Sequence, residues 1–360
     1  MHRILTFLLL SLIYLQNTAQ NIIPEWKNPK GLVLVYPKDL RSSLVNCYKE
    51  LIKSVTSSSD LHELTLIIRP SAKKEIELFC QTLETKTKIT VFETSKIQDI
   101  WARVFCPIYF SNNVVFKSLY RPSYFTKNQI IKYSISDNQT GIDLANFLKL
   151  KVNYFIHPIA NNLILDGGNF ISNGQGTAIV TNKIIADNQN LSTDEIKQIF
   201  KTQIGISNLI ILPVEPGDIT GHIDGTVRFI NDSTLIVSSY PDIYSKGQNN
   251  ISEEDYIIDK QFLDNIADTL IKSFTVKRLV NDIPKNDGVN GVASAFGNYI
   301  NFLRIGNYLF LPQYDIPQDE ISIDFFNKNF PELTIVPIKK DIDKLSKLGG
   351  VLNCISWQYY

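Results

Sequence analysis

Residues 173–180 read Asn173-Gly174-Gln175-Gly176-Thr177-Ala178-Ile179-Val180, a turn rich in Gly and Asn that leads into an apolar strand. A helical pattern follows over 193–202, and another apolar strand follows over 209–212. A change from strand patterning to helical patterning and back is typical of an α/β unit. This unit indicates the fold class of the whole chain, because similar units precede and follow it.

The same alternation extends over the rest of the sequence. Strands are predicted at 31–36, 64–68, 89–92, 113–116, 176–180, 209–212, 234–237, 308–311 and 333–337. Helices are predicted at 44–56, 72–83, 141–150, 193–202, 253–273 and 321–329. A strand, a turn, another strand and a helix recur about every 60 to 70 residues, which is the scale of an internal repeat. The pattern predicts an α/β protein, built either as a closed ring of ββαβ units or as an open doubly wound sheet.

Composition and charge narrow the class of protein. The chain has 360 residues, of which 44% are hydrophobic, and its 36 Lys and Arg balance 36 Asp and Glu to a formal net charge of zero. This is the composition of an ordinary globular protein. A neutral balance without dense basic runs gives no electrostatic reason to expect nucleic acid or an anionic membrane as a partner.

The first 19 residues have the pattern of a secretory signal peptide, with a basic start, an apolar run and cleavage after Ala19. The alternative is an uncleaved membrane anchor, which the shortness of the run disfavours. We therefore expect an exported bacterial protein, periplasmic or secreted, with residues 20–360 as a single domain. No later apolar stretch is long enough to span a bilayer.

The four cysteines, Cys47, Cys80, Cys106 and Cys354, are widely and irregularly spaced. This spacing matches neither a zinc site nor a small disulfide scaffold. Cys354 follows Gly349-Gly350 close to the carboxyl end of the chain. A cysteine after a glycine turn, with a distant histidine and carboxylates, suggests a thiolate nucleophile with an acid/base partner. If Cys354 is this nucleophile, at most one disulfide forms among the other three.

Four segments carry the candidate chemistry, at 98–107, 165–177, 218–229 and 349–354. Taken in this order, they resemble the guanidine-modifying superfamily, and more narrowly the family of agmatine deiminases and bacterial (Porphyromonas-type) peptidylarginine deiminases. The start of the mature chain and the stretch 298–302 resemble the same family. The resemblance implies a five-bladed, pseudo-symmetric α/β propeller of the pentein type. It also implies hydrolysis of a guanidinium to a ureido group and ammonia, without metal or organic cofactor.

The resemblance also implies residue roles. Cys354 is the expected nucleophile, and His222 is expected to protonate the leaving ammonia and then to activate water. Asp224 is expected to bind guanidinium nitrogens, and Asp166 to orient or charge-pair His222. His222 and Asp224 are two residues apart, so in an extended segment they face the same side. The substrate-binding positions implied are Trp101, Asp99, Arg103 and Asn169.

One position departs from the family pattern. The family has an aspartate directly after the arginine of the first motif, as a second guanidinium clamp, and this chain has Val104 there. Losing a carboxylate from a buried cation site should cost several kcal/mol of binding. Asp99 matches another aspartate of the motif but lies five residues earlier. This departure leaves three interpretations open: a rearranged site for another substrate, a weak deiminase, or an inactive relative.

Each residue also has a simpler interpretation. Cys354 alone would more often be an apolar filler, His222 a structural histidine, and Asp166 and Asp224 turn residues. Because the four segments occur in the family's order, the favoured hypothesis is a Cys-dependent deiminase that acts on peptidyl arginine, agmatine or a related guanidine. Such a protein is compatible with a homo-oligomer. Export favours peptides or extracellular arginine derivatives over an intracellular polyamine route such as putrescine biosynthesis. The alternatives are a binding protein that kept the pocket and an amidinotransferase-like enzyme.

Overall fold

The computed structural model describes residues 22–155, 162–244, 251–283, 285–289 and 291–360. The predicted signal peptide lies outside these residues. The strands are β1 (Gly31–Val35), β2 (Glu63–Ile68), β3 (Lys88–Glu93), β4 (Ile108–Tyr109), β5 (Val114–Lys117), β6 (Lys151–Tyr154), β7 (Ile171–Ser172), β8 (Thr177–Thr181), β9 (Asn208–Leu212), β10 (Val227–Phe229), β11 (Thr234–Ser239), β12 (Thr275–Val280), β13 (Leu303–Ile305), β14 (Tyr308–Pro312), β15 (Thr334–Ile338) and β16 (Ser356–Tyr359).

The helices are α1 (Val45–Ser58), α2 (Lys73–Cys80), α3 (Ala102–Phe105), α4 (Lys127–Gln129), α5 (Ile135–Phe147), α6 (Lys183–Asp187), α7 (Thr193–Ile204), α8 (Glu253–Leu270), α9 (Gln318–Asn329) and α10 (Ile342–Ser346). A π-helical turn over Ile130–Ser134 joins α4 to α5. The predicted α/β class is confirmed. Within the described parts of the chain, no helix is both long and apolar enough to cross a membrane.

The strands form five small sheets with a common topology. Their orders are β16-β1-β2-β3, β4-β5-β6, β7-β8-β9, β10-β11-β12 and β13-β14-β15. In every sheet the first pair of strands is antiparallel and the second pair is parallel. A helical segment connects each parallel pair, as a parallel crossover requires. The predicted repeat of a strand, a turn, a strand and a helix is therefore present in four of the sheets described, and in the fifth the first strand, β16, comes from the other end of the described chain.

The unit formed by β8, α7 and β9 shows why these elements form. Ser192 caps α7 by accepting a hydrogen bond from the backbone N–H of Glu195, whose side chain bonds back to Ser192. Gly205 ends the helix with a φ of 70°, a left-handed conformation that glycine adopts without strain. Between these caps, the apolar face of α7 is buried against the strands of its own sheet.

The predicted start of the helix at 141–150 is wrong, because α5 begins at Ile135. Gly141 lies inside α5, and an added Cβ there would come within 2.6 Å of the carbonyl oxygen of Phe105. The glycine therefore serves close packing of α5 against α3 rather than a helix boundary. The stretch 298–302, whose sequence resembles the family, is the loop before β13.

The two ends of the described chain meet in one sheet. β16 pairs antiparallel with β1, with Gly31 opposite Tyr359 and Leu34 opposite Ser356. This pairing begins two residues after Cys354, so it fixes where the nucleophile candidate lies. A Cβ at position 31 would overlap the ring of Tyr359, which explains the glycine there.

We predict that Gly31→Ala lowers the free energy of unfolding by about 1–3 kcal/mol, because the new methyl group overlaps Tyr359 in a close-packed core. Urea unfolding measures this cost. A Tyr359→Ala background removes the overlapping ring, so the Gly31→Ala cost should shrink there. An equal cost in both backgrounds would contradict the packing of β16 on β1.

Candidate functional site

The candidate residues come from corresponding positions in the five sheets. Segments 101–104, 166–169, 222–225, 298–301 and 353–354 each lie directly before the first strand of a sheet. Several of them make a short helical turn at this point, including α3 and the 3-10 turns Gly167–Asn169 and Ile223–Gly225. Residues that are far apart in sequence are thereby brought to one place.

A cavity of about 340 Å³ is lined by residues of three of these segments, 101–104, 222–225 and 353–354. Cys354, His222, Trp101, Val104 and Asp99 all line it. Much of the remaining wall is aromatic, from Tyr120, Tyr124, Phe125 and Tyr133. The cavity thus combines aromatic and apolar side chains with polar groups next to a thiol, as small-molecule sites do.

The loop before β16 holds the thiol by close packing and by one asparagine. A Cβ at Gly350 would lie 2.8 Å from the ring of Trp101 and 3.1 Å from Sγ of Cys354, so only glycine fits there. Oδ1 of Asn301 accepts hydrogen bonds from the backbone N–H groups of Val351 and Cys354, at 3.2 and 3.3 Å. The nucleophile candidate is therefore fixed from both sides of its turn.

Asp224 is the carboxylate next to this thiol. The Cys354 thiol donates a long hydrogen bond, 4.0 Å, to Oδ2 of Asp224, and Nδ2 of Asn353 donates to the same oxygen at 2.5 Å. Oδ1 of Asp224 is buried and accepts no hydrogen bond from any described residue. Burial and the Asp224 charge raise the pKa of Cys354. Burial also raises the pKa of Asp224, against the opposing effects of His222, Arg228 and Arg103.

His222 and Asp166 form a buried pair. Nε2 of His222 lies 3.2 Å from Oδ2 of Asp166, and an added Cβ at Gly168 would come within 2.7 Å of Nδ1, so the ring packs flat on this glycine. Burial alone would lower the pKa of His222, but the hydrogen bond and charge of Asp166, helped by Asp224 and Asp218, raise it. Oδ1 of Asp166 is also buried and without a donor among the described residues.

Two of the predicted substrate-binding residues are instead held by protein partners. Arg103 donates from Nη1 to Glu25 at 2.8 Å and from Nη2 to Oδ1 of Asn353 at 2.8 Å. Asn169 is buried, and its Oδ1 accepts from the backbone N–H of Thr181 at 2.7 Å. Both residues therefore shape the loops around the site from outside the cavity wall.

Among the described residues that line the cavity, Asp99 is the one carboxylate, whereas Asp224 and Asp166 lie behind the thiol and the imidazole. Oδ2 of Asp99 lies 3.5 Å from Nη2 of Arg41, and burial raises the pKa of Asp99 while Arg41 opposes the rise. Val104, at 6% exposure, presents an apolar side chain to the same cavity. Among the described residues, no group of three or more His, Cys, Asp or Glu side chains is placed to hold a metal ion.

Sequence reasoning missed three residues of the site, namely Asn301, Asn353 and Arg41. Asn301 and Asn353 are polar side chains inside apolar stretches, and such buried groups need hydrogen-bond partners. That need was a usable signal for both. No feature of the sequence indicates a role for Arg41, because arginines are common in polar surface loops such as the one before α1.

Comparison with known proteins agrees with this geometry. The family model for Porphyromonas-type peptidyl-arginine deiminase matches residues 21–359. A protein of Latilactobacillus sakei named "Putative agmatine deiminase" is 25% identical over 218 residues, which is 55% of this chain and 58% of that protein. A protein of the same name from Vibrio parahaemolyticus is 26% identical over 58% of this chain and 60% of its own length. The chain thus matches less than two thirds of the length of these relatives.

Solved structures match over a greater length. Agmatine deiminase of C. jejuni is 22% identical, with a TM-score of 0.74, over 94% of this chain and 96% of that one. A structure described as "Putative Arginine Deiminase from Porphyromonas gingivalis" is 20% identical, with a TM-score of 0.73, over 94% and 98% of the two chains. At these identities the likeness shows a shared mixed α/β fold. With the family model covering nearly the whole described chain, the protein belongs to the Porphyromonas-type peptidyl-arginine deiminase family.

Proposed function

We propose that the protein is a Cys-dependent deiminase that hydrolyses a guanidinium group to a ureido group and ammonia. The observation that carries this proposal is a pair of buried carboxylates, Asp224 and Asp166, each with one oxygen lacking a hydrogen-bond donor among the described residues. Leaving such an acceptor unpaired costs about 1–3 kcal/mol or more. A guanidinium offers planar N–H donors and a positive charge, so it would satisfy both oxygens.

The thiol next to Asp224 supplies the nucleophile. Its raised pKa means that Cys354 is protonated in the empty pocket. A bound cation would offset the Asp224 charge, and so would lower the cost of forming the thiolate. The thiolate would then attack the guanidinium carbon, the C–N bond would break, and ammonia would leave. Hydrolysis of the amidino-cysteine by water would restore the thiol.

His222 is suited to the proton transfers of both steps. Because Asp166 raises its pKa, the imidazole holds a proton that it can give to the leaving nitrogen. The neutral imidazole left behind can then accept a proton from the attacking water. Asp166 would act by orienting the ring and stabilising its charged form, since it contacts Nε2 directly.

Val104 determines how the second edge of the substrate is held. With no carboxylate at this position, Asp224 and Asp166 would bind one side of the guanidinium, and Trp101 would cover its face. Asp99 is the one carboxylate among the described residues of the cavity wall, but Arg41 already pairs with it. Peptidyl arginine, agmatine and related guanidines are the substrate classes we propose.

The five sheets also support an architectural proposal. Because they share one topology and each contributes a loop to the site, we propose that they are the blades of a pseudo-symmetric propeller closed by β16 on β1. Residues 20–360 would then form one domain. We further propose export to the periplasm or medium, on the signal-like pattern of residues 1–19.

A non-catalytic binding protein is the second candidate, and Val104 favours it. An apolar residue where the family has a clamping carboxylate weakens the hold on a reacting guanidinium. The retained thiol, imidazole and two carboxylates favour catalysis, because a site without turnover has no need of an aligned nucleophile and acid. An amidinotransferase would use the same thiol but pass the amidino group to an amine.

The proposed chemistry predicts ammonia release by the reduced protein from agmatine, free arginine or a short arginyl peptide. Cys354→Ala should abolish the release, because the attacking sulfur is lost, and Cys80→Ala should leave it unchanged as a matched thiol control. A colorimetric ammonia assay measures both. Ammonia release that persists in Cys354→Ala would contradict the proposal, and a new guanidino product would indicate the transferase.

The role of Asp166 predicts a change in the titration of His222. In Asp166→Asn the hydrogen bond to a charged partner is lost while burial remains, so the pKa of His222 should fall. Proton NMR of the imidazole resonances measures it, with His222→Gln to assign the signal. In the native protein, the raised pKa makes protonated His222 stabilise the fold at low pH, and this stabilisation is lost as pH rises through that pKa. An unchanged titration in Asp166→Asn would remove Asp166 from this role.

Restoring a carboxylate tests the account of Val104. Val104→Asp should lower KM or raise kcat for guanidines by about tenfold or more, since one charge-assisted pair contributes about 1.5–3 kcal/mol. Val104→Asn is the uncharged control and should gain little. Steady-state kinetics measures both variants. If Val104→Asp gains nothing over Val104→Asn, the pocket differs from the family pattern beyond this position.

A further inference from the structure

The segment before β1 places one carboxylate between two arginines behind the site. Oε1 of Glu25 accepts from Nη1 of Arg103 at 2.8 Å, and Oε2 accepts from Nη2 of Arg228 at 2.5 Å. Arg228 is fully buried, and its Nη1 donates to the carbonyl of Phe302 at 3.0 Å. Burial opposes ionisation of Glu25, but the two arginines outweigh it and hold its pKa below the ordinary value.

A continuous set of contacts leads from this group to the nucleophile. Arg103 donates to Oδ1 of Asn353, and Nδ2 of Asn353 donates to Oδ2 of Asp224, the oxygen that accepts the thiol of Cys354. The backbone N–H of Arg103 also donates to the carbonyl of Cys354 at 3.1 Å. Arg103 is thus one side chain away from the carboxylate that is proposed to hold the substrate.

Arg103 and Arg228 compete with a cationic substrate for the negative charge of Asp224. The positive charges of Arg103 and Arg228 both work to lower the pKa of Asp224 and so favour its ionised form. A cation that Asp224 holds permanently would neutralise the charge that a cationic substrate needs. The side chains of Glu25, Arg103, Arg228 and Asp224 sum to zero when all are ionised. Without the Glu25 charge, the same group would be positive before any substrate arrived.

We propose that Glu25 is a positioning residue that keeps Arg103 and Arg228 occupied, so that Asp224 stays available to a cationic ligand beside Cys354. Glu25 touches neither the thiol nor the cavity wall, and it acts through the two arginines. The inference rests on the proposed function only in taking the ligand of Asp224 to be a cation. It gives the segment 22–27, which precedes the first strand, a role in the electrostatics of the site.

The test compares two reagents that differ in charge. Iodoacetamide is neutral and iodoacetate is an anion, so the ratio of their rates at Cys354 reports the potential at the thiol. Glu25→Gln leaves an uncompensated positive charge, and the iodoacetate-to-iodoacetamide ratio should rise by about fourfold or more. Mass spectrometry of the peptide that contains Cys354 gives both rates, in a Cys80→Ser background to remove the more accessible thiol.

Control variants separate this effect from a loss of structure. Glu75→Gln removes a carboxylate of similar exposure, 30% against 28%, that also binds two cations, Lys38 and Lys49. It should leave the ratio unchanged. Glu25→Asp keeps the charge and should keep the ratio near that of the native protein. If Glu25→Gln does not fold, Arg103→Gln removes a positive charge and should lower the ratio.

The outcomes are distinct. An unchanged ratio in Glu25→Gln, even with a lower Tm, would mean that Glu25 is only structural and would overturn the inference. A raised ratio together with a higher KM for agmatine or an arginyl peptide would support it. If the native protein turns over no guanidine, the proposed function fails, but the alkylation ratio still supports or overturns the role of Glu25.

Discussion

The pairing of β16 with β1 is the contact on which the site depends. It joins the two ends of the described chain in one sheet, and the loop that enters β16 carries Asn353 and Cys354. The loops before β4, β10 and β13 hydrogen-bond to this one, and the loop before β7 contacts the loops before β4 and β10. Because each loop is anchored by the strand that follows it, the reacting groups are held by rigid elements rather than by flexible segments.

The elements with a clear hydrophobic period could be predicted from the sequence. The central strands of the sheets, the parallel strands β3, β9 and β15, and helices such as α7 and α8 are predicted close to their observed bounds, whereas the parallel strands β6 and β12 are not predicted. The short first strands were missed, because the two or three residues of β7 and β10 are too few to show an alternation. The start of α5 was missed because Gly141 indicates a boundary in the sequence, whereas its lack of a side chain serves packing against Phe105.

The site was predictable where an ordered motif marked it. Cys354, His222, Asp224 and Asp166 were named from sequence, and the structure brings the thiol to Asp224 and the imidazole to Asp166. The positions of Arg103 and Asn169 depend on long-range partners that no local pattern reveals. Asn301 and Asn353 likewise acquire their importance only when the loops before β13 and β16 meet.

In the empty site, buried carboxylate oxygens lack hydrogen-bond donors among the described residues, and a bound ligand can supply them. Two buried carboxylates have unpaired oxygens, and one of them raises the pKa of the adjacent thiol. Such an arrangement destabilises the empty protein, and natural proteins keep it mainly where function requires it. The wall around Val104 includes apolar and aromatic side chains, which lower the local dielectric and so strengthen any charge interaction within the pocket.

The central claim is that a bound cation converts the protonated Cys354 thiol into a nucleophile. The most direct measurement is the pH dependence of Cys354 alkylation by iodoacetamide, with and without millimolar guanidinium chloride. The account predicts a rate that still rises above pH 9 in the empty site and a midpoint that moves to lower pH when guanidinium is bound. A midpoint below pH 9 in the empty site, or one that guanidinium does not move, would contradict it.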